Sequence, residues 1–522
     1  MRPASPLRRH SLVRVGAAAL ALGWIAHGGP AAADPPVDPL ESVRDYRRSH
    51  QAEILAEYRE LLAIPNVASD SENIRRNAEW IAAALEARGV STEIWTTGEA
   101  PPIVFGRLEA EDTTRTLGIY VHYDGQPVDA KQWTTPPWEP ALLTGSLESG
   151  GVPRPWPAAG ESVDPEARIY ARSAGDDKAP IPAILTALDA LREAGIAPTS
   201  DLVFLLEGEE EAGSDHLGDH FREHRDELQV DLWLIADGPV HQSRRPQLVF
   251  GVRGYSGFDI TVYGASRYLH SGHYGNWAPN PAQVLAGLLA GMKGENGMVT
   301  IRDFYADTAP ITQADREAIS KLPDYDAELR RELGLHRTEA GNAPLAERIL
   351  LPSLNVRGMA SAAVGAAARN IIPTEATASL DVRLAKGDRP AVMLDRVEAH
   401  IREQGFTIVR EQPDLETRLA HSRIARVVRR SGYPAVRTEL DHPAVAAVRT
   451  AAERAAGEEV LMVPTLGGSL PLYLFVELLE APVVIIPIAN HDDNQHAPDE
   501  NLRLANLWYG IDLMGALLTI SD

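Results

Sequence analysis

The sequence predicts an α/β protein, a mixed sheet flanked by helices, into which a smaller α+β domain is inserted. Three observations predict it. Amphipathic helical stripes alternate with apolar strand runs up to about residue 246. The pattern then changes to strand, helix, strand, strand, helix, strand, a ferredoxin-like outline. Helix and strand alternation resumes from about residue 440. The division that follows is 1–33 as an export leader, 34–246 as the first part of the main domain, 247–439 as the insertion, and 440–522 as the remainder.

The leader is read from Arg2, Arg8, Arg9 and Arg14 ahead of the apolar run 15–26, then Ala31-Ala32-Ala33 before Asp34. A basic start, a short apolar stretch and small residues at a cleavage point are the layout of a bacterial signal peptide, which directs the protein to the periplasm or the medium. Arg8-Arg9 fits twin-arginine export, although Ser11 stands where a bulky apolar residue is usual. The net charge of −23 argues against a nucleic-acid partner. With no cysteine there are no disulfides, no thiolate metal sites and no cysteine nucleophile, so any metal must be held by His, Asp and Glu.

In chain order, Ile54, Leu55, Tyr58, Leu61 and Leu62 form one stripe of a helix over 39–63. Trp80, Ile81, Ala84 and Leu85 form another over 77–89, with Gly89 placed as its stop. Strands are expected at 90–96, 117–123, 202–206 and 231–236, and a helix at 181–194. The insertion opens with strand alternation over 249–262 and a helix over 281–292, and continues with strands at 376–384 and 406–411. Residues 303–348 are polar and carry no site signal. A helix at 443–456, a strand at 483–488 and a helix at 502–518 close the chain.

Acidic and histidine residues gather where these strands end. His122 and Asp124 share a face at the end of one strand, since alternate residues of an extended chain point the same way. Asp176-Asp177 precede a helix. Glu207, Glu209, Glu210 and Glu211 follow the run 202–206, and Asp237 follows 231–236. Open α/β sheets place their sites at such carboxyl ends. Crowded carboxylates there repel one another unless a cation lies among them. Taken singly, each has another reading: His122 and Asp124 as a hydrogen-bonded turn pair, Asp176 or Asp177 as a helix cap. The Gly467-Gly468-Ser469 loop binds an anion or only makes a turn, and of His491 and His496 at most one is needed as a ligand.

In combination and in order, these motifs resemble the co-catalytic dinuclear zinc peptidases, a family of aminoacylases, glutamate carboxypeptidases and dipeptidases, and most of all its carnosine-dipeptidase-like branch. The resemblance spans about residues 45–518. It implies a catalytic domain with an inserted lid and dimerisation domain, and two Zn2+ per chain, with Mn2+ or Co2+ as alternatives. His122 and Asp237 would bind the first metal, Glu211 and His496 the second, and Asp176 would bridge both through a segment with a cis peptide to Asp177. Asp124 would support His122, and Glu210 would be the general base. His270 would reach the oxyanion from the insertion of a second subunit, which implies a homodimer. Arg383, Asn370, Gly468 and Ser469 would hold the substrate.

The implied reaction is hydrolysis of the amide bond of a dipeptide or short peptide with a free carboxyl end. The alternatives are an N-acyl-amino-acid deacylase on the same metals and, from another class, a non-catalytic exported peptide-binding protein. Two departures from the family pattern are visible. Ala179 follows Lys178 where glycine is commoner, and Arg430-Ser431-Gly432-Tyr433-Pro434 lacks a histidine frequent in the carnosine branch.

Overall fold

The computed structural model describes residues 38–520 apart from Asp112, Ala340, Asn342 and Ser469. The expected leader and the substrate-binding assignment of Ser469 therefore lie outside the described residues.

The larger sheet has eight strands. In spatial order they are Ser91–Trp95, Ile103–Leu108, Asp201–Glu207, Thr116–His122, Leu232–Ile235, Val483–Ile485, Gln247–Val249 and Leu461–Val463. Its centre is parallel, with His122 beside Glu207, Tyr120 beside Ile235, and Ile235 beside Ile485. These four strands therefore end at one edge of the sheet, and the loops that follow them leave from the same side.

Both faces of this sheet are covered. Leu202, Phe204 and Leu206 point into one hydrophobic core, and Val203 and Leu205 into the other, as the two-residue period of a strand requires. The close fit of the sheet centre is set at Gly118, which lies opposite Trp233. A Cβ at Gly118 would overlap the Trp233 ring. Gly118→Ala is expected to lower stability by about 1–3 kcal/mol through overpacking, read as a lower urea midpoint at unchanged slope.

The helices begin and end where local chemistry directs. Pro39–Ser49 and Gln51–Leu62 are two helices where one was expected, separated at His50. The next helix starts at Ser71, earlier than its apolar stripe, because the Asp70 side chain accepts the Asn73 backbone N–H. Pro180–Ala194 has proline in its first turn and Gly195 in the left-handed conformation after its last.

The second sheet has five strands in the order Ser353–Ala360, Glu375–Leu384, Gly254–Tyr263, Ile424–Arg429 and Thr407–Val409. The helices Pro281–Ala290 and Pro390–Glu403 contribute Leu285, Leu288, Met393 and Val397 to a core shared with Phe258, Ile260 and Leu380. The first four strands and two helices follow the expected α+β outline. The fourth strand is Ile424–Arg429, however, and Thr407–Val409 is an added edge strand parallel to it. Gln247–Val249 belongs to the larger sheet, so sheet membership changes after residue 249 and not at 247.

Candidate metal centre

The register of the parallel strands brings the expected ligands together. His122 ends its strand and Asp124 follows two residues later; Glu210 and Glu211 lie in a short turn after Asp201–Glu207, and Asp237 follows Leu232–Ile235. The loop after Val483–Ile485 carries His496. Antiparallel pairing of Asn501 with Tyr170 sets that loop against the segment that holds Asp176. The Asp176–Asp177 peptide is cis.

Two overlapping groups result. Single donor atoms of His122, Asp176 and Asp237 all lie within 4.8 Å of one another, as do those of Asp176, Glu211 and His496. Asp176 joins the groups: its Oδ1 is 3.0 Å from His122 Nε2, and its Oδ2 is 3.0 Å from His496 Nε2. His496 Nε2 is also 3.2 Å from Glu211 Oε2. The first group is buried, whereas the His496 side chain is 52% exposed, so one position is enclosed and the other opens to solvent.

Glu210 belongs to neither group, and its Oε2 is 4.0 Å from His122 Nε2 of the first. Asp124 sits behind them. Its Oδ1 is 3.4 Å from His122 Nδ1, and its two oxygens accept the backbone N–H groups of Glu210 and Glu211 at 3.1 and 3.0 Å. One buried carboxylate thus orients the imidazole and fixes the backbone of the acidic turn. Glu209 turns away to bind His216, and buried Glu207 accepts the Tyr120 hydroxyl at 2.6 Å.

The electrostatics fit a site for bound positive charge. Burial, reinforced by Asp176 and Glu211 and opposed by His122, pushes Asp237 up to about 7. Burial, with Asp237, Glu211 and Glu207 adding to it, likewise raises Glu210 well above the carboxylate range. Hydrogen bonds to Asp176 and Glu211 push His496 up to about 10. Burial opposes charge on His122, yet Asp124 and Asp176 outweigh it and hold the imidazole well above its ordinary value. Carboxylates that resist ionisation beside imidazoles that resist neutrality mark a cluster short of positive charge. Imidazole and carboxylate donors suit zinc and its neighbours in the first transition row.

The outer expected residues lie on other elements. His270 pairs through its strand with Ile371 next to Asn370 in a separate two-stranded sheet, and both His270 and Asn370 are exposed. No hydrogen bond or ion pair between either of them and the metal-ligand cluster occurs among the described residues. The Arg383 guanidinium lies over the Tyr255 ring at 5.5 Å, with Nε 3.7 Å from Asp381. The Gly468 carbonyl accepts the Arg253 backbone N–H at 3.2 Å.

Three side chains that sequence reasoning left without roles also shape the site. Gln495 donates to Asp176 Oδ2 at 2.7 Å, and Gln126 to Glu211 Oε2 at 2.9 Å. Glu500, fully buried, accepts the backbone N–H groups of Gly175 and Asp176 on Oε1. Its Oε2 accepts the Ser173 N–H and Arg172 Nη1. The only signal for Glu500 in the sequence is its place four residues after His496.

The model of Peptidase family M20/M25/M40 matches residues 118–519. A Cys-Gly metallodipeptidase of Schizosaccharomyces pombe is 27% identical over 496 residues, covering 91% of this chain and 96% of that protein. β-Ala-His dipeptidase of Homo sapiens is 25% identical over 506 residues, covering 92% of each. Among solved structures, an M20 family metallo-carboxypeptidase from Sulfolobus solfataricus has a TM-score of 0.69 at 26% identity, covering 89% of this chain and 98% of that one. Human carnosine dipeptidase 1 has a TM-score of 0.61 at 23% identity, covering 92% and 98%, a likeness of fold.

Proposed function

Because the chain belongs to peptidase family M20/M25/M40, we propose that it is a dinuclear, zinc-dependent dipeptidase acting on dipeptides with a free carboxyl terminus. The observation that carries the reading is Asp176, whose two oxygens face two ligand groups, with Glu210 beside His122 of the first. The relatives that match over nine-tenths of the chain are metallodipeptidases and a β-Ala-His dipeptidase, which favours dipeptides over N-acyl amino acids or mere peptide binding.

His122 and Asp237 would hold one metal, Glu211 and His496 the other, and Asp176 both. When bound, such a pair polarises the scissile carbonyl and lowers the pKa of water. Glu210 takes the proton of the attacking water and hands it to the leaving amine, one carboxylate serving as base and then acid. Asp124 keeps His122 and the acidic turn in place while this happens. Arg383 receives the substrate carboxylate through its planar fork, and Asn370, Gly468 and Ser469 are the other substrate-binding candidates.

His270, exposed and with no hydrogen bond to the cluster among the described residues, serves the oxyanion of a partner subunit. A homodimer through the insertion is supported by the exposed edge strand Ser353–Ala360, where Val356 and Met359 are 43% and 54% exposed. Export rests on the pattern of residues 1–33. Among the described residues, no helix is long and apolar enough to cross a membrane.

The test is metal analysis beside a substrate panel. Two metals per chain are expected, with dipeptides cleaved faster than N-acetyl amino acids. Graded chelation should remove the metal at the open His496 position first and abolish turnover. Less than one metal per chain after reconstitution would overturn the reading.

A further inference from the structure

A cavity of about 500 Å³ lies in the inserted part of the chain, against the helices Asp326–Glu332 and Leu345–Arg348 and the start of the strand Ser353–Ala360. None of the metal-ligand residues lines it. Its apolar wall includes Val299, Leu329, Leu333, Leu335, Leu345 and Leu354. Leu333, Leu335 and Leu345 are 58%, 48% and 50% exposed, although they belong to a polar, charge-rich stretch. Three half-bare leucines converging on one concavity are unusual on a surface that has polar residues to spare.

The charged groups around that wall are unbalanced. Among the lining residues, Lys293, Arg330, Arg337 and Arg348 meet only two acids, Asp326 and Glu339. Glu339 is taken by Lys293, and Asp326 accepts the Leu345 backbone N–H at 3.1 Å. Arg253 donates to the Leu351 carbonyl and to Ser353, and Arg348 lies on the Met298 sulfur. Arg330 and Arg337 have no carboxylate partner among the described residues. In a chain of net charge −23, a cationic rim over an apolar wall is a local arrangement, not a reflection of composition.

We propose that this cavity binds a small amphipathic carboxylate, its apolar body against Leu333, Leu335 and Leu345 and its carboxylate at the Arg330 and Arg337 rim. The volume lies within the range of small-molecule sites. A neutral apolar ligand would leave the rim unneutralised, and a small polar anion would leave the leucines in water. An alkyl carboxylate and an N-acylated amino acid share the required chemistry, and the test separates them.

The metal-loaded full chain is titrated calorimetrically with decanoate, decanol and N-acetyl-leucine. Saturable binding of at least one carboxylate, one per chain, is expected, with the preferred one identifying the source. Decanol should bind about ten-fold more weakly or worse than the preferred carboxylate. The double variant Arg330→Glu/Arg337→Glu and the single Leu333→Glu should each weaken binding by about ten-fold, with dipeptide turnover unchanged. The proposal is overturned if neither carboxylate saturates by about 1 mM, if decanol binds as well, or if both variants bind as before. It is also overturned if Leu333→Glu changes the oligomeric state of a chain that binds neither carboxylate, which would make the leucines a self-association patch.

Discussion

Glu210→Gln is expected to lower kcat by about 10²–10⁴-fold while leaving the metal content per chain unchanged. The substitution keeps size and removes only the capacity to accept a proton. Glu210 belongs to neither group of ligand atoms, so its loss should not empty a position. Its carboxylate nonetheless sits 4.0 Å from His122 Nε2, within one water of the first position. Its backbone N–H is held by Asp124, a bond that the amide variant retains. Steady-state kinetics and metal analysis on the same preparation give the check. Full activity would remove Glu210 from the role of base, and loss of a metal would make it a ligand instead.

What the sequence revealed of this site follows from where the residues stand. His122 ends a strand whose side chains are almost all buried, and Glu210, Glu211 and Asp237 follow two more such strands within four residues, so the apolar runs announce the strands and the polar residues announce their ends. Parallel pairing does the rest, since strands in register release their loops together. The strand Ile103–Leu108 was hidden by Pro101 and Pro102 before it and by Gly106 within it, all turn signals. Ser353–Ala360 was hidden because it is an edge strand exposed from Asn355 onward, with a bulge between Val356 and Gly358 that breaks its alternation. Residues 303–348 read as featureless because their leucines are spaced by charges, and only folding brings Leu333, Leu335 and Leu345 to one cavity. Glu500 is the extreme case. A carboxylate four residues from a histidine looks the same whether it is solvated or accepts four hydrogen bonds from a segment more than three hundred residues away.

Glu500→Gln is expected to lower kcat by about 10–100-fold and to weaken metal retention by a similar factor, with a smaller change in KM. The reason is the count of donors around one carboxylate. Glu500 accepts three backbone N–H groups, from Ser173, Gly175 and Asp176, and the guanidinium of Arg172. An amide of the same shape keeps one accepting oxygen and turns an NH2 group toward donors. Two of the four bonds are then lost inside a site with no solvent to replace them, at a cost of about 1–3 kcal/mol for each unsatisfied group. The affected segment is the one that presents Asp176 to both ligand groups, and the strand pair that Glu500 immediately precedes also anchors the His496 loop. Relaxation there displaces the shared ligand against the other half of the second position. A purely structural role predicts something else: lower stability of the metal-free chain but an unchanged kcat for whatever remains folded and metal-saturated. Chelator competition, unfolding of the metal-free protein and kcat at saturating metal separate the two. Glu500→Asp, which keeps the charge but shortens the reach, should recover stability more fully than turnover if Glu500 positions Asp176. Equal recovery of both, or full kcat in metal-saturated Glu500→Gln, would leave it as a packing residue alone.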